Sequence, residues 1–259
     1  MKELIRRDEP SIGTGIQTTD PSVMELIGYT GLMDYVEFTS TYAPWDLYAL
    51  ENMARASELF DMSTMIKIDP EPKHFIAQRA IGAGIQNMLF ADLRTTTQVQ
   101  EAIAAVRAEP KGTYGCNLHR IHGYWLEVGT KKAAEYNDDI VIAIMMEKKS
   151  LYEHVEEVVS MEGVDMLQFG MCDFAMNLGH WGQWTHPKVV EAEERTIKLA
   201  LKHDKRPRTE IGSGIAFEKK MNRYVKLGVR DFIVGYEVSI LYEWLREHGA
   251  IARRILGVK

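Results

Sequence analysis

The sequence predicts a closed (β/α)8 barrel, an α/β fold, and three observations carry the prediction. Short apolar or β-branched runs recur at Ile12–Gln17, Tyr35–Ser40, Thr64–Ile68, Ile85–Ala91, Ile140–Met146, Val164–Phe169, Thr209–Ser213 and Asp231–Val234. Runs of that length read as strands, and those that are apolar throughout read as buried on both faces. Most are separated by segments with helical spacing, so the strands must pair in parallel through right-handed crossovers. Eight such units are what a closed barrel requires, and a chain of 259 residues suits one such domain, expected to span residues 1–259. The competing architecture is an open doubly wound sheet. It is disfavoured at the first strand, where Gly13-Thr14-Gly15 is followed by Ile16-Gln17-Thr18 and lacks the third glycine of a dinucleotide-binding turn.

Taken in order, the helical segments are Thr97–Arg107, Tyr124–Tyr136, Leu151–Ser160, Lys188–Lys202 and Glu218–Leu227, all rich in good helix formers. His186-Pro187 marks the start of the fourth, because proline at the first helical position gives up an amide that has no intrahelical partner. Beyond the last strand an extra C-terminal helix is expected over Val238–Leu256, with Leu241, Trp244, Leu245, Ile251, Ile255 and Leu256 at helical spacing. Such a stripe packs on its own domain or crosses to a neighbouring subunit.

Composition narrows the function. Hydrophobic residues make up 46% of the chain, enough for a large core. The formal net charge is -6 and the basic residues are scattered, so nucleic acid is not an expected partner. Cys116 and Cys172 lie far apart with no second cysteine near either, which excludes a CxxC metal site and a disulfide framework and makes a reducing, cytoplasmic setting the default. No stretch has the length of a signal segment or of a membrane span, so no membrane role is expected.

The chemistry is suggested by two carboxylates. Ile140–Met146 leads into Glu147, and Val164–Phe169 leads through Gly170-Met171-Cys172 into Asp173. In a parallel barrel the active site lies where strands end, and two hard oxygen ligands delivered there point to a divalent metal. Read singly, each is an ordinary helix cap; as a pair on consecutive strand ends they are better explained as ligands. On the second strand Tyr35, Glu37 and Thr39 share a face, and Glu37 is expected outward beneath a helix because inward charge is costly unless paired. His119, His122 and His180 are placed in loops near the strand ends, with His180 opening the aromatic loop Gly179 to His186.

The layout resembles the HpcH/HpaI aldolase family, the metal-dependent class II pyruvate aldolases related to the citrate lyase β subunit. The resemblance runs over almost the whole chain, through Asp20-Pro21-Ser22-Val23-Met24-Glu25, Gly31 to Tyr35, Ala43-Pro44-x-Asp46, Ala83-Gly84, Met146-Glu147, and Glu162-Gly163-Val164-Asp165 to Gly170-x-x-Asp173-x-x-x-x-Leu178-Gly179. It implies that Glu147 and Asp173 hold Mg2+ or Mn2+, and that the turn Gly170, Met171 and Cys172 sets backbone amides against a 2-oxoacid carboxylate. It also implies a homo-oligomer, a hexamer or trimer. The chain departs from the family pattern at four places. Thr39-Ser40-Thr41-Tyr42 stands where the family has Asp-x-Glu-His, so Tyr42 replaces the proton-transferring histidine. Lys67 falls where the family has an arginine over the enolate, Met145 where a glutamine is usual, and Met171 where a proline follows the glycine.

These readings lead to a divalent-metal-dependent carbon–carbon lyase acting on a small 2-oxoacid or related carboxylate. Lys67 is then the cation beside the enolate, as a point charge rather than a bidentate fork, or alternatively a strand-end salt-bridge partner. Tyr42 is a proton donor to the leaving group, a substrate contact, or a wall residue. His180 is the preferred substitute base, against plain surface packing of its loop. Claisen-type condensation, decarboxylation or hydrolysis at the same metal site are the alternatives, as is a binding protein that has lost catalysis.

Overall fold

The computed structural model describes residues 1–214 and 216–258. The strands are β1 (Ser11–Ile16), β2 (Tyr35–Thr39), β3 (Ser63–Ile68), β4 (Asn87–Phe90), β5 (Val141–Met146), β6 (Met166–Phe169), β7 (Arg206–Ile211) and β8 (Asp231–Tyr236). All eight pair in parallel in sequence order, and β1 pairs with β8 to close the barrel. The helices are α1 (Lys2–Arg6), α2 (Pro21–Tyr29), α3 (Leu47–Glu58), α4 (Lys73–Ala83), α5 (Thr96–Val106), α6 (Lys131–Asp138), α7 (Lys149–Tyr152), α8 (Val155–Ser160), α9 (Met171–Asn177), α10 (Pro187–Lys202), α11 (Phe217–Lys226) and α12 (Glu237–Leu256). The chain is therefore the (β/α)8 barrel with an added C-terminal helix that the strand and helix spacing predicts.

Strand parity builds two cores. On β5, Ile142, Ile144 and Met146 face the helices, while Val141, Ala143 and Met145 face the barrel interior with Met65, Leu89 and Met166. On β1 the inward positions are Gly13 and Gly15, where a Cβ would lie 2.6 Å from the Tyr35 ring and 2.0 Å from the Tyr236 ring. The paired glycines thus make room for two aromatic rings rather than for a phosphate. At the N-terminal end, Met1 and Ile5 pack against the interior cluster, so the short α1, which sequence periodicity did not indicate, plugs the floor.

Four expectations are corrected. Glu37 points inward: it is fully buried, and Arg208 Nη2 donates to its Oε2. The opposite charge that makes this affordable comes from a strand far along the sequence. The helix expected over Tyr124–Tyr136 is confined to Lys131–Asp138, because Tyr124 and Gly129 take positive φ and Thr130 Oγ1 caps the helix by accepting from Ala133 N. The segment Leu151–Ser160 is split between α7 and α8. His119 and His122 are not at the strand C-termini. The His119 ring packs against Gly82 near the end of α4, and His122 is buried edge-on to Tyr136 at 5.8 Å.

Arg208 is also hydrogen-bonded to Tyr35 Oη at 2.9 Å and to Gln168 Oε1, so its charge is satisfied entirely inside the barrel. Removing one member of a buried pair costs about 3–5 kcal/mol, because the other charge is left uncompensated. Arg208→Met is expected to lower the urea midpoint accordingly, and adding Glu37→Leu should recover most of the loss. Equal stability of the single and double variants would show that the pair does not carry this cost.

Candidate active site at the barrel mouth

Lys67 is the last inward side chain of β3, two residues beyond Met65. Its Nζ donates to Tyr42 Oη at 3.0 Å and lies 4.8 Å from the centre of that ring. Tyr42 is exposed and ends the 3-10 turn Ser40–Tyr42, which is pinned to β3 by Ser40 Oγ donating to Lys67 O at 2.5 Å. Lys67 itself is buried, and among the described residues no carboxylate lies within ion-pair distance of it. Burial alone would lower its pKa, but Tyr42, Glu147 and Glu37 more than offset this, and the ammonium is held above its ordinary range.

Glu147 follows β5 directly and is 2% exposed. Its Oε1 accepts from Asp92 N at 2.7 Å. Its Oε2 lies 2.6 Å from where a Cβ on Gly170 would be, so glycine is required there by the close approach of the carboxylate. The Met145 methyl closes the same corner, 3.2 Å from that Cβ position. Burial pushes Glu147 up to about 7; Lys67 and the Asp92 amide pull it back, and Asp173 and Asp92 push it further.

Asp173 lies in the first turn of α9, after the turn that Gly170 begins. Its Oδ1 accepts from Lys148 Nζ at 2.6 Å, and the same ammonium is paired with Asp92. Burial opposes the charge on Lys148, yet these carboxylates hold its pKa above the ordinary value. Gly170 N–H donates to Met146 O at 3.2 Å and is already used. Among the described residues Met171 and Cys172 N–H have no backbone acceptor, as is usual for the first amides of a helix. The Cys172 thiol is pushed up by burial and by Asp173 and Glu210, so it is no thiolate nucleophile.

The structure thus gathers Lys67, Tyr42, Met145, Glu147 and Gly170, and links Asp173 to them through Lys148 and Asp92. It does not bring His180 into this group. His180 N donates to Ala175 O at the end of α9, and its ring stacks on His186 at 3.7 Å, where His186 Nδ1 caps α10. Sequence reading missed Asp92 and Lys148, although Asp92 follows Ile85–Ala91 just as Glu147 follows its own apolar run.

Two carboxylates from neighbouring strand ends, Glu147 and Asp173, would suit a small hard cation, which keeps several waters and uses one or two carboxylates. The fit is supported by Glu147, a buried carboxylate with no lysine or arginine in ion-pair contact among the described residues. No group of three or more His, Cys, Asp and Glu side chains gathers as a preformed metal cage among those residues. Bound ligand would complete such a shell.

A parallel eight-stranded barrel with acid and ammonium groups crowded at its strand C-termini has the architecture of a barrel enzyme's active site. The sequence model of the HpcH/HpaI aldolase/citrate lyase family matches residues 40–207, and the protein belongs to that family. It is 27% identical over 242 residues to a 5-keto-4-deoxy-D-glucarate aldolase of Klebsiella pneumoniae, covering 92% of this chain and 91% of that one. Its fold is similar to an HpcH/HpaI aldolase from Desulfitobacterium hafniense DCB-2, with a TM-score of 0.88, 19% identity and coverage of 98% and 96% of the two chains. A citrate synthase, SbnG, has the same fold at a TM-score of 0.85 and 18% identity, covering 98% of this chain and 97% of that one.

The raised Glu147 pKa has a consequence for stability. A carboxyl that binds its proton more tightly folded than unfolded gives stability that is complete below about pH 4.5 and is lost as pH rises through about 7. In excess chelator, Glu147→Gln should therefore raise the melting temperature at pH 8 and leave it nearly unchanged at pH 4.5, a difference worth up to about 3 kcal/mol. Equal effects at the two pH values would refute the buried, unpaired state of this carboxyl.

Proposed function

We propose that the protein is a divalent-metal-dependent carbon–carbon lyase that handles a small 2-oxoacid through a stabilised enolate. The observation that carries this reading is the buried Lys67 ammonium, coupled to the buried Glu147 across the mouth and hydrogen-bonded to Tyr42. Glu147 and Asp173 are the residues that would hold Mg2+ or Mn2+; when bound, the ion supplies Lewis-acid polarisation of the 2-oxo group. Met171 and Cys172 amides face the substrate carboxylate, with Gly170 and Met145 shaping the wall beside Glu147. Lys67 neutralises charge on the enolate oxygen, in a site where burial makes that charge more effective than in water.

In the condensation direction the 2-oxoacid gives a methyl proton to a solvent water, its enolate carbon bonds to the carbonyl carbon of the partner, and the resulting alkoxide takes a proton, so that no proton is gained or lost overall. Tyr42 is placed to supply it: its oxygen accepts from Lys67, so its own O–H points away from that donor. Cleavage is the reverse. His180, occupied with His186, has no part in this scheme.

Lys67→Met keeps the buried stem and removes the charge. It is expected to lower turnover by roughly two to three powers of ten, the scale of a lost oxyanion donor, while the fold survives by circular dichroism. Exchange of pyruvate methyl protons followed by NMR separates an enolising enzyme from a binding relic. Full turnover by the variant would reduce Lys67 to a structural role.

The chain is also proposed to assemble as a homo-oligomer through α12. None of its described residues is buried, and Leu241, Trp244, Leu245, Ile255 and Leu256 are all more than half exposed. An apolar stripe of that extent is unusual on a free surface. Sedimentation should show a hexamer or trimer, and deletion of 244–259 should lower the assembly state; a full-length monomer at micromolar concentration would refute the assignment.

A further inference from the structure

Among the mouth carboxylates that the scheme above does not use, one stands opposite Lys67. Arg208 on β7 points into the barrel, and side chains alternate along a strand, so Glu210 points the same way one layer nearer the C-terminal end. Arg208 is buried, whereas Glu210 is exposed, which places its carboxylate at the open surface of the mouth. Gln168 Nε2 donates to Glu210 Oε2 at 3.2 Å, and the Tyr236 hydroxyl lies against the same carboxylate. In a closed barrel of eight strands, β7 lies directly across from β3. Glu210 therefore faces Lys67 over the cavity; enclosure by its neighbours and the nearby Glu37 hold its carboxyl above the ordinary range, while Tyr236, Arg208 and Lys67 favour its charged form.

This arrangement bears on the half of the substrate that does not become the enolate. Carboxylates outnumber cations around it: Asp69, Asp92 and Glu210 join the proposed metal carboxylates Glu147 and Asp173 against Lys67 and Lys148, an excess that a bound divalent ion would reduce but not cancel. The inward guanidinium beneath Glu210 is already neutralised by Glu37. A second carboxylate on the partner molecule would meet a like charge there, whereas a hydroxyl would find an acceptor braced from two sides.

Building on the lyase reading, we propose that Glu210 is a specificity residue that selects an uncharged, hydroxyl-bearing aldehyde as the partner of the 2-oxoacid and rejects aldehydes that end in a carboxylate. The chain then differs in substrate from relatives named for a sugar diacid.

The test uses the full chain with Mn2+ and pyruvate, offered either glyceraldehyde or tartronate semialdehyde, which differ by a hydroxymethyl group against a carboxylate. Glyceraldehyde should be favoured by roughly tenfold or more in kcat/KM. Glu210→Gln, which keeps the hydrogen-bonding shape, should shrink that ratio, and Glu210→Lys should move it toward the acid aldehyde; melting curves of both variants check folding. Methyl-proton exchange of pyruvate is read in parallel on the unaltered protein. Exchange together with a preference for tartronate semialdehyde, no addition to glyceraldehyde, or a ratio unmoved in a folded Glu210→Gln protein would overturn the specificity role alone. Absence of exchange would overturn the lyase reading, and this inference with it.

Discussion

A guanidinium sealed in the middle of the barrel sets terms for everything above it. Arg208 cannot be left unpaired in that environment, so its donors are spent on Glu37 from β2, Gln168 from β6 and the Tyr35 hydroxyl, which itself donates to Phe232 O on β8. Four strands are thereby tied at one level. The same contact fixes the Gln168 amide: its oxygen is taken by Arg208, so its NH2 turns toward Glu210. Orientation passes from a core charge to a carboxylate at the open end without any backbone change.

Parity carries the rest. Once Met65 faces inward, Lys67 must, and once Met145 does, Glu147 is delivered at the strand end beside it. Gly170 then allows the neighbouring turn to lie against the Glu147 carboxylate, which a Cβ would prevent. The site is thus rigid where charge must be placed, on strands. Its exposed phenol, Tyr42, sits on a short turn anchored by Ser40.

The fold was legible because most strands are buried on both faces and announce themselves as apolar runs. β7 was read late, at Thr209–Ser213 where the strand is Arg206–Ile211, for the complementary reason: Arg206 and Arg208 are polar, and their place in the sheet depends on Asp231 and Glu37, which no local window contains. Glu37 was expected outward by a correct rule, the cost of inward charge, applied without knowledge of its partner 171 positions away. Glu147 and Asp173 stood out by position after strands, and the same pattern applied to Ile85–Ala91 would have yielded Asp92. Lys148 and Glu210 were not legible, since their placement follows from which neighbouring strand ends they face.

Lys148 connects this electrostatic frame to metal chemistry. Its ammonium lies on Asp173 Oδ1 and also on Asp92, two carboxylates from different strand ends. Were Glu147 and Asp173 to hold a divalent ion, Lys148 would be a competing positive charge on Asp173, and Asp92 offers that ammonium a second anchor. Asp92 also serves Glu147 through its backbone amide, so one residue braces the buried carboxylate with its N–H and holds the competing cation with its side chain. The mouth therefore fixes one ammonium between two carboxylates of different strand ends, so that its charges are held in place by the barrel and not by flexible loops.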